Sequence, residues 1–356
     1  VSTQNVHGTG PHVRFGALPL RPDGAGLSTY ISEFLRAFAA LRPQANASAL
    51  VQDDVAGSLP SPVRPVSRPV AAGALRAAFA AAPSPRVDLF HSLDVDLPVA
   101  GPRLTACTVH DLSVWDTPWA MSALRARAEQ ILLRGSIPRA DVVVAVSAFT
   151  AGRIADVLGR HDVIVAPLAP AAWARPASAG TVEEVRARYG LPERFVLQVA
   201  TVEPRKQPAL VAEAARRAGL PLVLAGSGST GPEAPTGALG LGFVPTEDLP
   251  ALYGAATVTT YASTYEGFGL PPLEAMACGG AVVASAVGGL PEAVTDGAVL
   301  LDSTDAGVWA DALGDLAAGD AGERLRERAV VDAARSTWEN HVQTCLDAYR
   351  NAGLTV

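Results

Sequence analysis

Tyr265-Glu-Gly-Phe-Gly-Leu-Pro-Pro-Leu-Glu274-Ala-Met-Ala-Cys-Gly279, running on into Ala281-Val-Val-Ala-Ser285, reads as a loop, a short helix and a strand. Pro271 and Pro272 suit the first turn of a helix, where a missing N–H costs nothing. Gly279 and Gly280 stop that helix after about two turns. Glu266 therefore lies on the loop ahead of the helix, and Glu274 lies on the helix about one turn in. Between them, Gly267, Phe268, Gly269 and Leu270 lead backbone N–H groups to a helix N-terminus, a place where phosphate binds well. A plain alternative stands beside this: Glu-Gly pairs before helices are common, and Glu274 would be mildly stabilising near any helix start.

The rest of the chain sets this segment in an alternating α/β pattern. Its 356 residues exceed one usual core, so two domains are expected. In the first, His12 to Leu18 reads as a strand, followed by the loop Arg21-Pro-Asp-Gly24-Ala-Gly26 and an amphipathic helix from Leu27 to Leu41. Val87 to His91, Leu104 to Val109 and Val142 to Val146 are continuous apolar runs, as buried parallel strands should be. Ser58 to Arg86, rich in Pro, Ala and Arg, reads as a loop with one short helix around Ala74 to Ala81. Ala171 to Gly180 reads as a linker.

The second series begins with helix Val182 to Tyr189, strand Phe195 to Ala200, helix Ala209 to Ala218 and strand Leu222 to Ala225. Strands Ala238 to Phe243, Val258 to Tyr261, Ala281 to Ser285 and Val299 to Asp302 follow, and a last helix covers Trp338 to Tyr349. The expected fold is two doubly wound, Rossmann-like parallel sheets facing a cleft, because ligands bind at the carboxyl ends of such strands. The expected division is 1–170, 171–337 and a terminal helical segment, 338–356.

Composition narrows the partners. Residues 1–170 carry 15 Arg against 13 Asp or Glu, and residues 171–356 carry 13 Lys or Arg against 22 Asp or Glu. An acidic chain of this kind is a poor nucleic-acid ligand. The cluster Arg125, Arg127, Arg134 and Arg139 is compatible with an anionic lipid surface or an anionic acceptor, although a solvated helix face is the commoner reading. Val1 to Pro19 lacks a basic segment followed by a long apolar core, and no apolar run approaches a bilayer span. Cys107, Cys278 and Cys345 lack metal spacing and read as free thiols. The expected location is cytoplasmic, with peripheral contact at the inner membrane face through the Arg125–Arg139 region left open.

Lys206 is the only lysine; the other 27 basic residues are arginines. It lies in Thr201-Val-Glu-Pro-Arg-Lys206, directly after a strand, where Arg205 and Lys206 can neutralise a diphosphate, one as a planar fork and one as a point charge. A solvated turn with a Glu203–Arg205 contact is the alternative. His110-Asp-Leu112 likewise follows a strand, where a lone histidine is more often structural. Gly24 and Gly26 stand in a strand-to-helix turn that needs glycine for backbone reasons anyway. Ser147 and Thr150 are explained by helix capping.

Taken together these segments resemble retaining GT-B glycosyltransferases of the GT4 family. The resemblance is carried by the two glutamates eight residues apart, by Glu203-Pro-Arg-Lys206, by His110-Asp111 and by Gly242-Phe-Val-Pro245. It spans nearly the whole chain and is most specific from 197 to 302. It departs at Ala281, where proline is usual, and at Pro170, where glycine is usual. The resemblance implies a nucleotide-sugar donor, with Glu274 on ribose, Arg205 and Lys206 on the departing diphosphate, and Glu266 on the sugar. It implies that His110 contacts the sugar near its reacting carbon, that Gly24 and Gly26 approach the donor phosphate and the acceptor, and that the backbone of Phe243 and Val244 reads the base. No metal or other cofactor is expected.

The acceptor, a glycan, lipid-linked sugar or natural product, is not legible. The motif combination looks most like mannosyltransferase-type members, which favours GDP-mannose over UDP-glucose, and the arginine-rich composition suggests a GC-rich bacterial source. A nucleotide-sugar 2-epimerase of the same fold and a non-catalytic nucleotide-sugar binding protein remain as alternatives.

Overall fold

The computed structural model describes residues 10–22, 24 and 26–356. The reading of the N-terminus lies partly outside these residues, and so do Asp23 and Ala25 of the glycine loop. The chain forms two compact units, one comprising residues 1–115, 122–168 and 338–356 and the other residues 116–121 and 169–337.

In the first unit, strands β1 (Val13–Gly16), β2 (Ala47–Gln52), β3 (Arg64–Arg68), β4 (Leu89–Ser92), β5 (Leu104–Val109), β6 (Val142–Ala145) and β7 (Val163–Val165) make one parallel sheet in the order β3-β2-β1-β4-β5-β6-β7. Helices α1 (Leu27–Leu41), α2 (Gly73–Ala81), the single turn α3 (Ser113–Asp116), α4 (Ala123–Ser136) and α5 (Ala148–Leu158) connect the strands. α1 buries Tyr30, Ile31, Phe34, Leu35 and Phe38, spaced three and four apart as one helical face requires. Phe15 of β1 meets Phe34 and Phe38 edge-on, at centroid distances of 5.4 and 4.8 Å. Such geometry adds about 0.5–1.5 kcal/mol per pair beyond burial.

The stretch Ser58 to Arg86 is not a plain loop around one helix, because it contains β3. That strand pairs only with β2 and carries Pro65, which an edge position tolerates.

The second unit holds α6 (Ala179–Tyr189), β8 (Val196–Val199), α7 (Pro208–Arg217), β9 (Leu222–Ala225), β10 (Leu239–Gly240), α8 (Leu249–Ala255), β11 (Val258–Tyr261), α9 (Leu270–Ala277), β12 (Val282–Ser285), α10 (Leu290–Val294), β13 (Ala298–Leu301), α11 (Ala306–Ala317) and α12 (Ala321–Ala333). Its parallel sheet runs β10-β9-β8-β11-β12-β13. Trp309 of α11, Val211 and Ala214 of α7 and Val196, Leu224 and Val258 of the sheet share one core. α6 begins earlier than expected because Ser178 caps it, its Oγ accepting the Thr181 N–H at 3.2 Å. β10 is shorter than expected because Gly242, at φ 69°, turns the chain away.

The last helix, α13 (Trp338–Asn351), belongs to the first unit and is tied there by a buried polar chain. His341 Nδ1 faces the carbonyls of Ala166 and Pro167 at 3.0 and 3.1 Å, and these can only accept, so Nδ1 carries the proton. His341 Nε2 then accepts from the Tyr30 hydroxyl (3.3 Å), whose oxygen accepts from Thr108 (3.0 Å). Thr108 in turn accepts from His91 Nε2 (3.0 Å), leaving His91 Nδ1 to accept from the Tyr349 hydroxyl at 2.5 Å. One orientation satisfies every hydroxyl and ring nitrogen, and it requires both imidazoles to be neutral.

Burial accordingly pushes His91 down to about 3 and His341 down to about 4, from an ordinary 6.5. The unfolded chain takes up those protons first, so this contribution to stability is full above about pH 6.5 and is lost as the pH falls from there. At pH 5 it costs about 2 kcal/mol per histidine. In a histidine NMR titration both rings are expected to remain neutral from pH 7 to 5; uptake of a proton near 6.5 by either would contradict the chain of hydrogen bonds.

Candidate functional site

Strand order places the site. In the second sheet the chain builds outward from β8 through β9 to β10, then returns to the other side of β8 with β11. The order reverses between β8 and β11, and a crevice opens at the carboxyl ends of such neighbours. The segment leaving β8 is Thr201-Val-Glu-Pro-Arg-Lys206, and the segment leaving β11 is Ala262-Ser-Thr-Tyr-Glu266. Topology thus brings together two motifs sixty residues apart.

Glu203 leads into a single 3-10 turn, Pro204–Lys206. The Arg205 guanidinium donates to Glu203 at 2.7 Å and to the Tyr265 carbonyl at 2.8 Å, and lies 3.5 Å from Glu266. The Lys206 ammonium donates to the same Glu266 oxygen, which also accepts from Ser263 Oγ at 2.6 Å. Burial works against a charged Glu266, but Lys206 and Arg205 beside it, with hydrogen bonds from Lys206 and Ser263, hold its carboxyl below the usual carboxylate range. The Glu203–Arg205 contact expected of a plain solvated turn is present, yet the turn is part of a four-residue ion cluster.

Residues not singled out from the sequence hold this cluster in place. Gln198 Nε2 on β8 donates to the Lys206 carbonyl at 2.8 Å, and the Thr264 N–H donates to the Arg205 carbonyl at 2.9 Å. Gln207 follows with φ 45°, a left-handed conformation uncommon for glutamine, which lets Pro208 start α7 at once. Gly288 and Gly289, in the loop after β12, lie against the acidic loop: a Cβ at Gly288 would stand 2.1 Å from the Glu266 carbonyl oxygen, and one at Gly289 would stand 2.3 Å from that of Gly267. The Gly289 N–H donates to the Glu266 carbonyl at 2.9 Å. The paired glycines were a visible signal; Gln198 and Gln207 carried none.

α9 starts after Gly269 (φ 119°), and its two prolines offer no N–H. The backbone donors at this end therefore come from Gly267, Phe268, Gly269 and Leu270. Phe268 and Leu270 are buried, and Glu274 is buried on α9. The β9 loop is tied to the loop after β10, the Gly226 N–H donating to the Gly242 carbonyl at 2.7 Å and the Gly242 N–H to Ser229 Oγ at 2.9 Å. Beyond that tie Phe243 is 65% exposed and Val244 is buried.

Three predicted residues lie on the first unit. His110 follows β5 and its Nε2 donates to the Leu93 carbonyl at 3.1 Å, so the remaining lone pair is on Nδ1. Burial lowers its pKa, favouring the neutral ring, and Tyr30 of α1 meets it edge-on at 4.5 Å. Gly26 precedes α1 with φ 57°, and a Cβ at Gly24 would stand 2.1 Å from Ser28 Oγ. Both glycines follow β1, whose neighbour β4 marks the reversal point of that sheet.

Residues 182–335 match the family described as glycosyl transferases group 1. The O-antigen chain mannosyltransferase B of Escherichia coli is 31% identical over 263 residues, covering 68% of this chain and 69% of that protein. The D-inositol 3-phosphate glycosyltransferase of Mycobacterium bovis is 38% identical over 195 residues, covering 49% of this chain and 41% of that protein. Among solved structures, Anabaena HepE in complex with UDP and glucose superposes with a TM-score of 0.70 at 17% identity, covering 96% of this chain and 100% of that one; this likeness is one of fold. Two parallel α/β units of this topology, a group 1 match over the second, and a mannosyltransferase relative aligned across two thirds of both chains lead to one assignment: the chain belongs to the group 1 glycosyltransferases and has the GT-B fold.

Proposed function

We propose that this glycosyltransferase moves a hexose, with retention, from a nucleoside-diphosphate sugar held on its second unit to a hydroxyl acceptor. The observation that carries the proposal is the convergence of Arg205, Lys206 and Glu266 at the reversal point between β8 and β11. An ammonium has three N–H donors and a guanidinium five, so each cation can keep its present partner and still reach phosphate oxygens. Glu274 takes the ribose hydroxyls and Glu266 the sugar hydroxyls. The backbone at Phe243 and Val244 reads the base, with the exposed Phe243 ring available for stacking. The name of the Escherichia coli relative supports a mannosyl donor, hence GDP-mannose; the UDP and glucose bound to HepE support UDP-glucose as the alternative.

In this scheme the bond between the anomeric carbon and the β-phosphate oxygen breaks, and its electron pair stays on that oxygen. Arg205, Lys206 and the N–H groups at the start of α9 meet the growing charge, stabilising the transition state more than the ground state. The acceptor oxygen bonds to the same face of the anomeric carbon, and its proton passes to the departing phosphate oxygen. The cations at this site are side chains, so the scheme assigns no step to a metal. The role of His110 as a sugar contact rests on the family resemblance and on its Nδ1 lone pair, which can accept a hydroxyl.

Replacing Arg205 and Lys206 together by alanine is expected to lower kcat by at least roughly a hundredfold while the protein stays folded; near-normal turnover would refute the assignment. Glu274→Ala is expected to weaken donor binding by about 1.5–3 kcal/mol in calorimetry, and unchanged affinity would remove its ribose role. Donor incubated without acceptor is expected to return unchanged at C2; an epimerised product would favour the epimerase reading instead.

A further inference from the structure

Helix α4 carries apolar residues on its solvent side as well as on its core side. Ala126 and Leu133 face the core and are buried. On the opposite pole stand Leu124, 82% exposed, then the exposed Ala128, and then Ile131, 65% exposed. These positions are separated by four and three residues, so they form one stripe along the outermost line of the helix. An ordinary solvent face would place charge there.

The charge lies to the sides instead. Arg127 and Arg134 flank the stripe on one side and Arg125 flanks it on the other, at helical angles of about 60–100° from its centre. Residues 123–139 hold four arginines and one acid, Glu129, within a chain whose net charge is -7. Glu129 pairs with Arg125 at 2.8 Å, and the Arg134 guanidinium lies over the Trp115 ring at 5.4 Å, with its helix position exposed. Arg127 is exposed and flanks both large apolar side chains.

We propose that this face of α4 docks on an anionic bilayer surface, with Leu124 and Ile131 entering the headgroup boundary and the flanking arginines meeting lipid phosphates. An apolar pole edged on both sides by arginine is the layout of a helix lying in the interface plane, where the long side chains reach outward to the headgroups. Charge selects the occupant: a local excess of arginine on an acidic protein complements anionic lipid. Size argues against a second copy, because two large apolar side chains fall far short of the roughly 800 Å² per partner that a stable interface buries. No helix among the described residues is long and apolar enough to cross a membrane, so the contact is at the surface.

Co-sedimentation with vesicles tests this without donor, acceptor or turnover, so it stands or falls separately from the proposed reaction. The protein is expected to pellet with vesicles of phosphatidylcholine and phosphatidylglycerol in equal parts, to stay in solution with phosphatidylcholine alone, and to be released by added salt. Leu124→Ser/Ile131→Ser and Arg127→Ala/Arg134→Ala are each expected to lower the partition coefficient at least tenfold with melting temperature retained. Failure of the wild-type chain to pellet with the anionic vesicles would overturn the proposal, as would unchanged binding by the serine variant. A dimer that the serine variant converts to monomer would assign the face to a second copy and overturn it as well.

Discussion

The pairing of Lys206 with Glu266 is the contact on which the geometry of the candidate site turns. A carboxylate largely withdrawn from water keeps its charge because two cations and the Ser263 hydroxyl stand beside it, and those cations in turn contact the carboxylate and its loop. Each partner comes from a different strand, and only the reversal of strand order between β8 and β11 makes them neighbours. The backbone is shaped to the same end: Gly288 and Gly289 allow a third loop to press against the acidic one, and Gln207 accepts an unfavourable conformation so that the basic turn ends at once in a helix. Because Glu266 is held below its ordinary value, the charged pair persists through neutral pH, and its stabilisation is lost as the pH falls from the ordinary carboxylate value through the lowered one.

Each unit has its own kind of internal polar contact. In the first, an oriented chain from Tyr349 through His91, Thr108 and Tyr30 to His341 contains no net charge, and each group has one role. Such a network ties α13 to the strands of the first sheet. In the second unit the groups are ions, with Arg205 and Lys206 set beside Glu203 and Glu266.

Much of this was legible in the sequence. β5, β9 and β11 coincide with their apolar runs, and α1 with its 3.6-residue periodicity, because burial on one or both faces writes directly into residue choice. Three strands escaped notice, β2, β3 and the three-residue β7, and the first two had physical reasons to do so. β3 is an edge strand with arginine at both ends and proline inside, and β2 is built largely from small residues. Arg205, Lys206 and Glu266 were visible as motifs, but their convergence depends on strand order, which no local pattern records. The buried histidine chain was invisible for the same reason: its members are separated by up to 319 positions, from Tyr30 to Tyr349.

We propose the ion cluster at the β8–β11 crevice as the diphosphate site of this glycosyltransferase. A crystal structure of the wild-type protein grown with GDP or UDP tests it most directly. Diphosphate oxygens are expected within hydrogen-bond distance of Lys206 Nζ and the Arg205 guanidinium, with the ribose hydroxyls on Glu274. A nucleotide bound elsewhere on the chain, with no phosphate oxygen near Lys206 or Arg205, would overturn this assignment.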